Sequence, residues 1–334
     1  MSNPNPSRRI LLVAGALFAA SQAVSIPAMA QTTYPTRPIR FLVGFAPGGS
    51  ADNVARVIAA EMSKNLGQQI VIENKTGASA NIATQTLLAA PADGYTILFA
   101  GLSLATNPAL IESLGYNPNK DLVMVSQITS LPVVSLTRGD SPLNSLQDVI
   151  ATAKARNGTL KFGSGGIGTT SHLAPELMSR AAGFKYTHVP YRGGAPALQA
   201  LFSGETDLMF DLMTPTLKSN ADAGKIKFLG VMQKDATPLL PGVKPAGEQG
   251  VPEAALMRSW QGVAVKYGTP PEIVARLHQS VNTALKSKEV VEKLNAIGTE
   301  VKGSATPAEF QKLYDDELAR WTALIKAAGI KAEQ

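Results

Sequence analysis

Residues 39–58 read IRFLVGFAPGGSADNVARVI. An apolar, β-branched run leads into Pro47-Gly48-Gly49, and from Ala51 onward Val54, Val57, Ile58 and Met62 recur at helical spacing until Gly67. Strand, glycine turn and helix in that order predict a β–α unit with its turn at the carboxyl end of the strand. The first N–H groups of such a helix have no partner inside it, and the helix dipole adds partial positive charge there, so the turn suits an anion. The stretch leaves three anions open: a nucleotide phosphate, an oxyanion formed in catalysis, or a solute held whole.

The same unit recurs on both sides. QIVIE is a strand followed by the loop KTGASAN and the helix IATQTLLAA; YTILFA is a strand followed by the loop GLSLATNP. VMVSQI and PVVSLT read as two strands on either side of a hinge at Ser130 to Pro132. Beyond it come the helix SLQDVIATAKA, the strand LKFGS, the turn GGIGTTSH, the helix LAPELMSRAAG, then YTHVPY, ALQALFSG and DLMFD as strand, helix and strand. Alternation of this kind predicts a mostly parallel sheet with helices on its faces and a ligand at the carboxyl ends of its strands. After the strand WQGVAV the chain is helical, and Thr306-Pro307-Ala308-Glu309 is a capping box with proline at the first helical position. A tail of this length packs back on the first unit, so the chain crosses between lobes near Ser130 and again near Arg258. The expected architecture is α/β, two lobes closing on a ligand cleft. Residues 31–130 with 256–334 form the first lobe and 131–255 the second.

Composition narrows the function. Residues 1–30 carry Arg8-Arg9, an uncharged apolar core and Ala28-Met29-Ala30, the layout of a secretory signal cut after Ala30; Ser7-Arg8-Arg9 leaves Sec and twin-arginine export both open. No later stretch is long and apolar enough to span a bilayer. The chain has no cysteine, which excludes disulfides, thiolate catalysis and cysteine metal sites. A net charge of +6 with scattered basic residues lacks the clustered stripe that nucleic acid requires.

The glycine turns fail the tests for nucleotide chemistry. Pro47-Gly48-Gly49-Ser50 has no Walker lysine. Gly163 to Gly168 matches G-x-G-x-x-G, but no acid follows between Ala181 and Ala195 to hold a ribose. The nucleophile elbow G-x-S-x-G is absent, and no serine is expected to pair with one of the three histidines. His188 reads as structural and His278 as a surface or rim residue. His172 reads equally as a ligand contact and as a support for its turn. No metal or other cofactor is expected. Asn74-Lys75-Thr76 and Asn157-Gly158-Thr159 match the glycosylation pattern. Two neutral, donor-rich turns, Gly48-Gly49-Ser50 and Gly165 to Thr170, facing each other across a cleft suit a carboxylate that is held and released.

Five segments, YPTRPIRFLVGFAPGGSADNVARVIA, IVIENKTGASANIATQTLLAAPADGYTILFA, GSGGIGTTSHLAPELM, VPYRGGAPALQALFSGETDLMFD and WQGVAVKYGTPPEIVARL, occur in that order. Together they closely resemble the solute-binding proteins of tripartite tricarboxylate transporters, the Bug family, over nearly all of the chain beyond the leader. The resemblance implies a periplasmic, monomeric, non-catalytic binding protein of the type II kind. Its ligand is then a small carboxylate, most readily a dicarboxylate, and its partner a membrane transporter or a sensor protein. Carried over, one ligand carboxylate meets Gly48, Gly49 and Ser50 on one lobe and Ser164, Gly168, Thr169 and Thr170 on the other. Ser79, Ser103, His172, Asp211 and Arg258 are candidates for the distal end. The sequence departs from the family at KTGASAN, where a Pro-Gly-Ala-Gly-Gly-Asn run is usual, at Pro175 in the first turn of its helix, and at Arg258, which reads equally as a second carboxylate clamp and as a surface residue near the hinge. An exported hydrolase and a protein-interaction module are the alternatives from other classes.

Overall fold

A computed structural model describes residues 34–191 and 193–331. The leader and its cleavage point lie outside the described residues. The first β–α unit is β1 (Ile39–Val43) and α1 (Ser50–Leu66), closed by Gly67 in the left-handed conformation. It is followed by β2 (Ile70–Asn74), α2 (Asn81–Ala89), β3 (Thr96–Gly101) and α3 (Ser103–Leu110). GLSLATNP is therefore mostly helix rather than loop. Pro108 lies inside α3 and leaves the Leu104 carbonyl, four residues back, without its usual donor. Tyr314 Oη donates to that carbonyl instead, at 3.4 Å.

The two strands expected around Ser130 are one, β4 (Leu122–Arg138). It pairs with β9 (Arg258–Lys266) up to Pro132 and from Val133 onward with β7 (Leu208–Leu212) and β8 (Ile226–Val231). A proline is tolerated at this junction because its missing N–H falls where the strand changes partners. The first lobe carries the order β2-β1-β3-β9-β4, with β1 parallel to β2 and β3 and with β9 antiparallel. The second carries β4-β7-β5-β6, where β5 is Lys161–Ser164 and β6 is Thr187–Pro190. Its helices are α4 (Leu146–Arg156), α5 (Thr170–Ala182), α6 (Gly194–Ser203) and α7 (Pro215–Asp222). Helix α5 begins earlier than the apolar spacing suggested, which puts Pro175 in its interior rather than its first turn.

The C-terminal elements α8 (Pro271–Ala284), α9 (Lys288–Ala296), β10 (Glu300–Val301) and α10 (Pro307–Ala328) pack on the first lobe. The cap of α10 forms: Thr306 Oγ1 accepts from Glu309 N at 3.1 Å, while the Glu309 carboxylate takes the N–H of Ala305, one residue before the cap, rather than that of Thr306. Phe310, Tyr314 and Trp321 on its inner face are fully buried, each rewarding the packing by about 1.5–3 kcal/mol. Trp260 on β9 meets the Phe310 ring edge-on at 5.5 Å. The fold is that of a type II periplasmic binding protein: two α/β lobes joined by two crossings, β4 and the entry to β9.

Candidate functional site

Between the lobes lies a cavity of about 410 Å³. The turn between β1 and α1 brings Gly49, Ser50 and Ala51 to it, and the turn between β5 and α5 brings Gly168, Thr169 and Thr170. Neither helix start is capped by a side chain, whereas α4, α7 and α10 are capped by Ser145, Thr214 and Thr306. The N–H groups of Ser50 and Ala51, and those of Thr170 and Ser171, have no partner among the described residues. These are the donors a bound anion would accept from.

Each turn is held by buried side chains behind it. Asp52, 1% exposed, accepts from Gly48 N at 2.9 Å, Asn74 Nδ2 at 2.9 Å and Arg56 Nε at 2.8 Å. Arg56 above all, then the Gly48 N–H and Asn74, hold its carboxyl down at about 2. In the other turn Ser171 Oγ accepts from Gly165 N at 2.8 Å, Ser164 Oγ from Gly166 N at 3.1 Å, and His172 Nδ1 from Gly168 N at 3.1 Å. Gly168 has φ +76°, a conformation that strains any other residue, and a side chain there would also displace the tip of Leu110, whose Cδ1 would lie at 2.6 Å.

Of the residues expected at the site, Gly49, Ser50, Ser79, Ser103, Gly168, Thr169 and Thr170 line this cavity. Gly48 stands behind it, its N–H committed to Asp52. Ser164 is fully buried beneath the turn. Its Oγ lies 2.6 Å from His188 Nε2, a serine–histidine pair that the spacing of the histidines did not reveal. Ser164 is not among the residues lining the cavity, and its hydroxyl braces the turn by accepting the Gly166 N–H. His172 is likewise buried behind the turn, its ring stacked on His188. Burial, then the His188 charge, lower its pKa to about 4. Asp211, at the end of β7, is not among the lining residues; its neighbour Leu212 is. Desolvation raises the Asp211 carboxyl to about 6.

Arg258 is not in the cavity lining. Its guanidinium pairs with Glu300, and its Nε donates to Ser130 Oγ at 2.7 Å. Thr237, beyond β8, donates to the same carboxylate. A guanidinium committed to this pair at the crossing strands is not free to clamp a second carboxylate, so the reading of Arg258 as a distal clamp loses its basis.

Apolar lining from Phe45, Phe99, Leu110, Ile167 and Trp260 escaped the sequence reading, as did Thr106, Asn107, Ser259 and Gln261. Apolar residues in strands and helices look the same whether they face a core or a cavity. None of the described lining residues is charged. The hydroxyls of Ser50, Ser79, Ser103, Thr170 and Ser259 have no hydrogen-bond partner among the described residues. No group of three or more potential metal ligands occurs among those residues, and none of their helices is long and apolar enough to cross a membrane.

Two α/β lobes around a cavity with no charged residue among its described lining, with open helix starts on either side, define a solute-binding protein. Residues 54–330 match the tripartite tricarboxylate transporter family receptor, and the chain belongs to that family. It is a family of solute-binding proteins rather than enzymes. Protein BugT of Bordetella pertussis is 35% identical, over 97% of this chain and 98% of its own. The structure of Rpa4515 of R. palustris with adipate superposes with a TM-score of 0.76 at 36% identity, covering 90% of this chain and 100% of that one. MatC from Rhodopseudomonas palustris with bound malate gives a TM-score of 0.72 at 32% identity, covering 87% and 100%.

Proposed function

We propose that the protein captures a small organic carboxylate between its lobes in the periplasm and delivers it to a membrane transporter of the tripartite tricarboxylate kind, or presents it to a sensor protein. The observation that carries this reading is the pair of uncapped helix starts, α1 and α5, opening from opposite lobes onto one cavity whose described lining carries no charge. Unpaired N–H groups and hydroxyls bind a carboxylate without a counter-cation, and such a ligand leaves again when the lobes part. The lobes, divided near residues 130 and 256, move about the two crossings, and the ligand favours the closed state because only that state satisfies both turns.

Adipate and malate, carried by two relatives, are both dicarboxylates, so diacids are the first ligands to try. Trp260 lines the cavity and reports on occupancy. Titration with adipate, malate, succinate, benzoate and glutamate, read by indole fluorescence and melting temperature, should give saturable change with at least one. The corresponding amides should give none. Response to amides equal to that of the acids, or indifference to the whole panel, overturns the reading.

A further inference from the structure

The turn that carries the second half of the clamp rests on two histidines. His172 Nδ1 accepts the N–H of Gly168 at 3.1 Å. Its ring lies parallel to that of His188, with centroids 4.0 Å apart and planes 2° apart. His188 Nε2 in turn lies 2.6 Å from Ser164 Oγ, which accepts the N–H of Gly166. Two of the turn's backbone donors are thus drawn inward by one stacked pair. That leaves the next N–H groups, those of Thr170 and Ser171, as the unpaired ones at the start of α5.

We propose that His172 is a positioning residue for ligand capture: its neutral ring holds Gly168, and with it the donor end of α5, and a proton on Nδ1 releases the turn. An acceptor nitrogen that takes a proton becomes a donor, and it then opposes the Gly168 N–H instead of binding it. A second proton on His188 would set two cations face to face at 4.0 Å in a buried site. The groups acting on the pair are few among the described residues. His188, on β6, acts on His172. Glu176, one turn along α5, acts on His188 and is itself held by Arg180 Nε at 2.6 Å and Tyr186 Oη at 3.1 Å. Burial keeps His172 neutral until about pH 4, so the turn is fixed near neutrality and loosens in acid.

The ligand half of the test rests on the carboxylate reading; the other half needs no ligand. The first arm is amide hydrogen exchange of residues 163–170 in the ligand-free full chain, for wild type, His172→Ala and His172→Asn. The asparagine Oδ1 offers an acceptor near the place of Nδ1 and does not titrate. At pH 7 the alanine variant should exchange about tenfold faster in this turn, the loss of one part-buried hydrogen bond, and the asparagine variant should stay within about twofold of wild type. Corrected for intrinsic rates, wild-type exchange should climb toward that of the alanine variant between pH 6 and pH 4, and the asparagine variant should not. The second arm is calorimetric titration with adipate and malate. The alanine variant should bind about tenfold more weakly. The ratio of wild-type to asparagine-variant affinity should fall by up to about twofold by pH 4, where about half of His172 is protonated, and the titration of the acid itself cancels in that ratio.

Unchanged exchange in the alanine variant overturns the proposal, and so does one pH profile shared by wild type and the asparagine variant. Should the alanine variant not fold, that comparison of profiles still decides. If exchange behaves as stated but no acid binds wild type, the carboxylate reading falls while the positioning role stands.

Discussion

At the scale of single residues, Asp52 does more for the first turn than the glycines that draw attention to it. Glycines make the turn possible; a buried carboxylate taking three donors makes it one conformation. Asn74, which matched a glycosylation pattern, also donates to the Phe45 carbonyl at 2.9 Å and so belongs to the same frame. The sign of the pH dependence follows from the lowered pKa. The native carboxyl titrates at about 2, below the unfolded value near 4, so its stabilisation is complete above about pH 4 and is lost as pH falls toward 2. Arg56, the largest cause, is half-exposed, and solvent screening trims the contribution to about 2 kcal/mol. Asp52→Asn should therefore lower the free energy of urea unfolding by about 2 kcal/mol at pH 7 and flatten its fall between pH 4 and 2. A wild-type acid profile in that variant would mean that the turn is held by something else.

At the scale of elements, the segment between β2 and α2 carries strain. Ala78, Ser79 and Ala80 stand consecutively at φ +44°, +52° and +72°, a left-handed run that costs non-glycine residues about 1 kcal/mol each. The surroundings hold it: Asn107 Nδ2 donates to the Ser79 carbonyl at 2.9 Å, and Gly44 is bare because a side chain there would sit 2.1 Å from Ala80 Cβ. Ser79→Gly should raise stability in chemical denaturation by about 0.5–1 kcal/mol, while Ser79→Ala, which keeps the strain, should leave the midpoint unchanged. Equal midpoints for all three proteins would show that the run is unstrained. This loop illustrates what was legible in the sequence. Gly77 and the departure from a glycine-rich run marked the segment as unusual, but backbone angles follow from packing on Gly44 and α3, which no local pattern encodes. The β–α units, Gly67 and the α10 cap were readable because propensity and spacing are local. The single strand β4, the helix hidden in GLSLATNP and the Ser164–His188 pair depend on partners far along the chain.

At the scale of the whole molecule, the two crossings are stitched together by side chains. Arg258 leads β9, Ser130 lies on β4, Glu300 lies on β10 beside Ser130, and Thr237 comes from the second lobe beyond β8. One carboxylate thus ties a crossing strand to the second lobe. This changes what Arg258→Ala is expected to do. A distal clamp would make diacids suffer more than monoacids; a hinge tie changes the balance of open and closed states and affects every ligand alike. The pair is partly exposed, so its loss should cost about 1–2 kcal/mol in unfolding, less in high salt. It should also widen the range of lobe angles, seen as a larger radius of gyration of the ligand-free protein in X-ray scattering. Affinities for adipate and benzoate should fall by the same factor. Removing the orphaned charge as well, in Arg258→Ala/Glu300→Gln, should recover part of the lost stability, since the remaining amide no longer carries an unpaired charge and can still accept from Thr237. A selective loss of diacid binding with an unchanged radius of gyration would put Arg258 back in the cleft and remove it from the hinge.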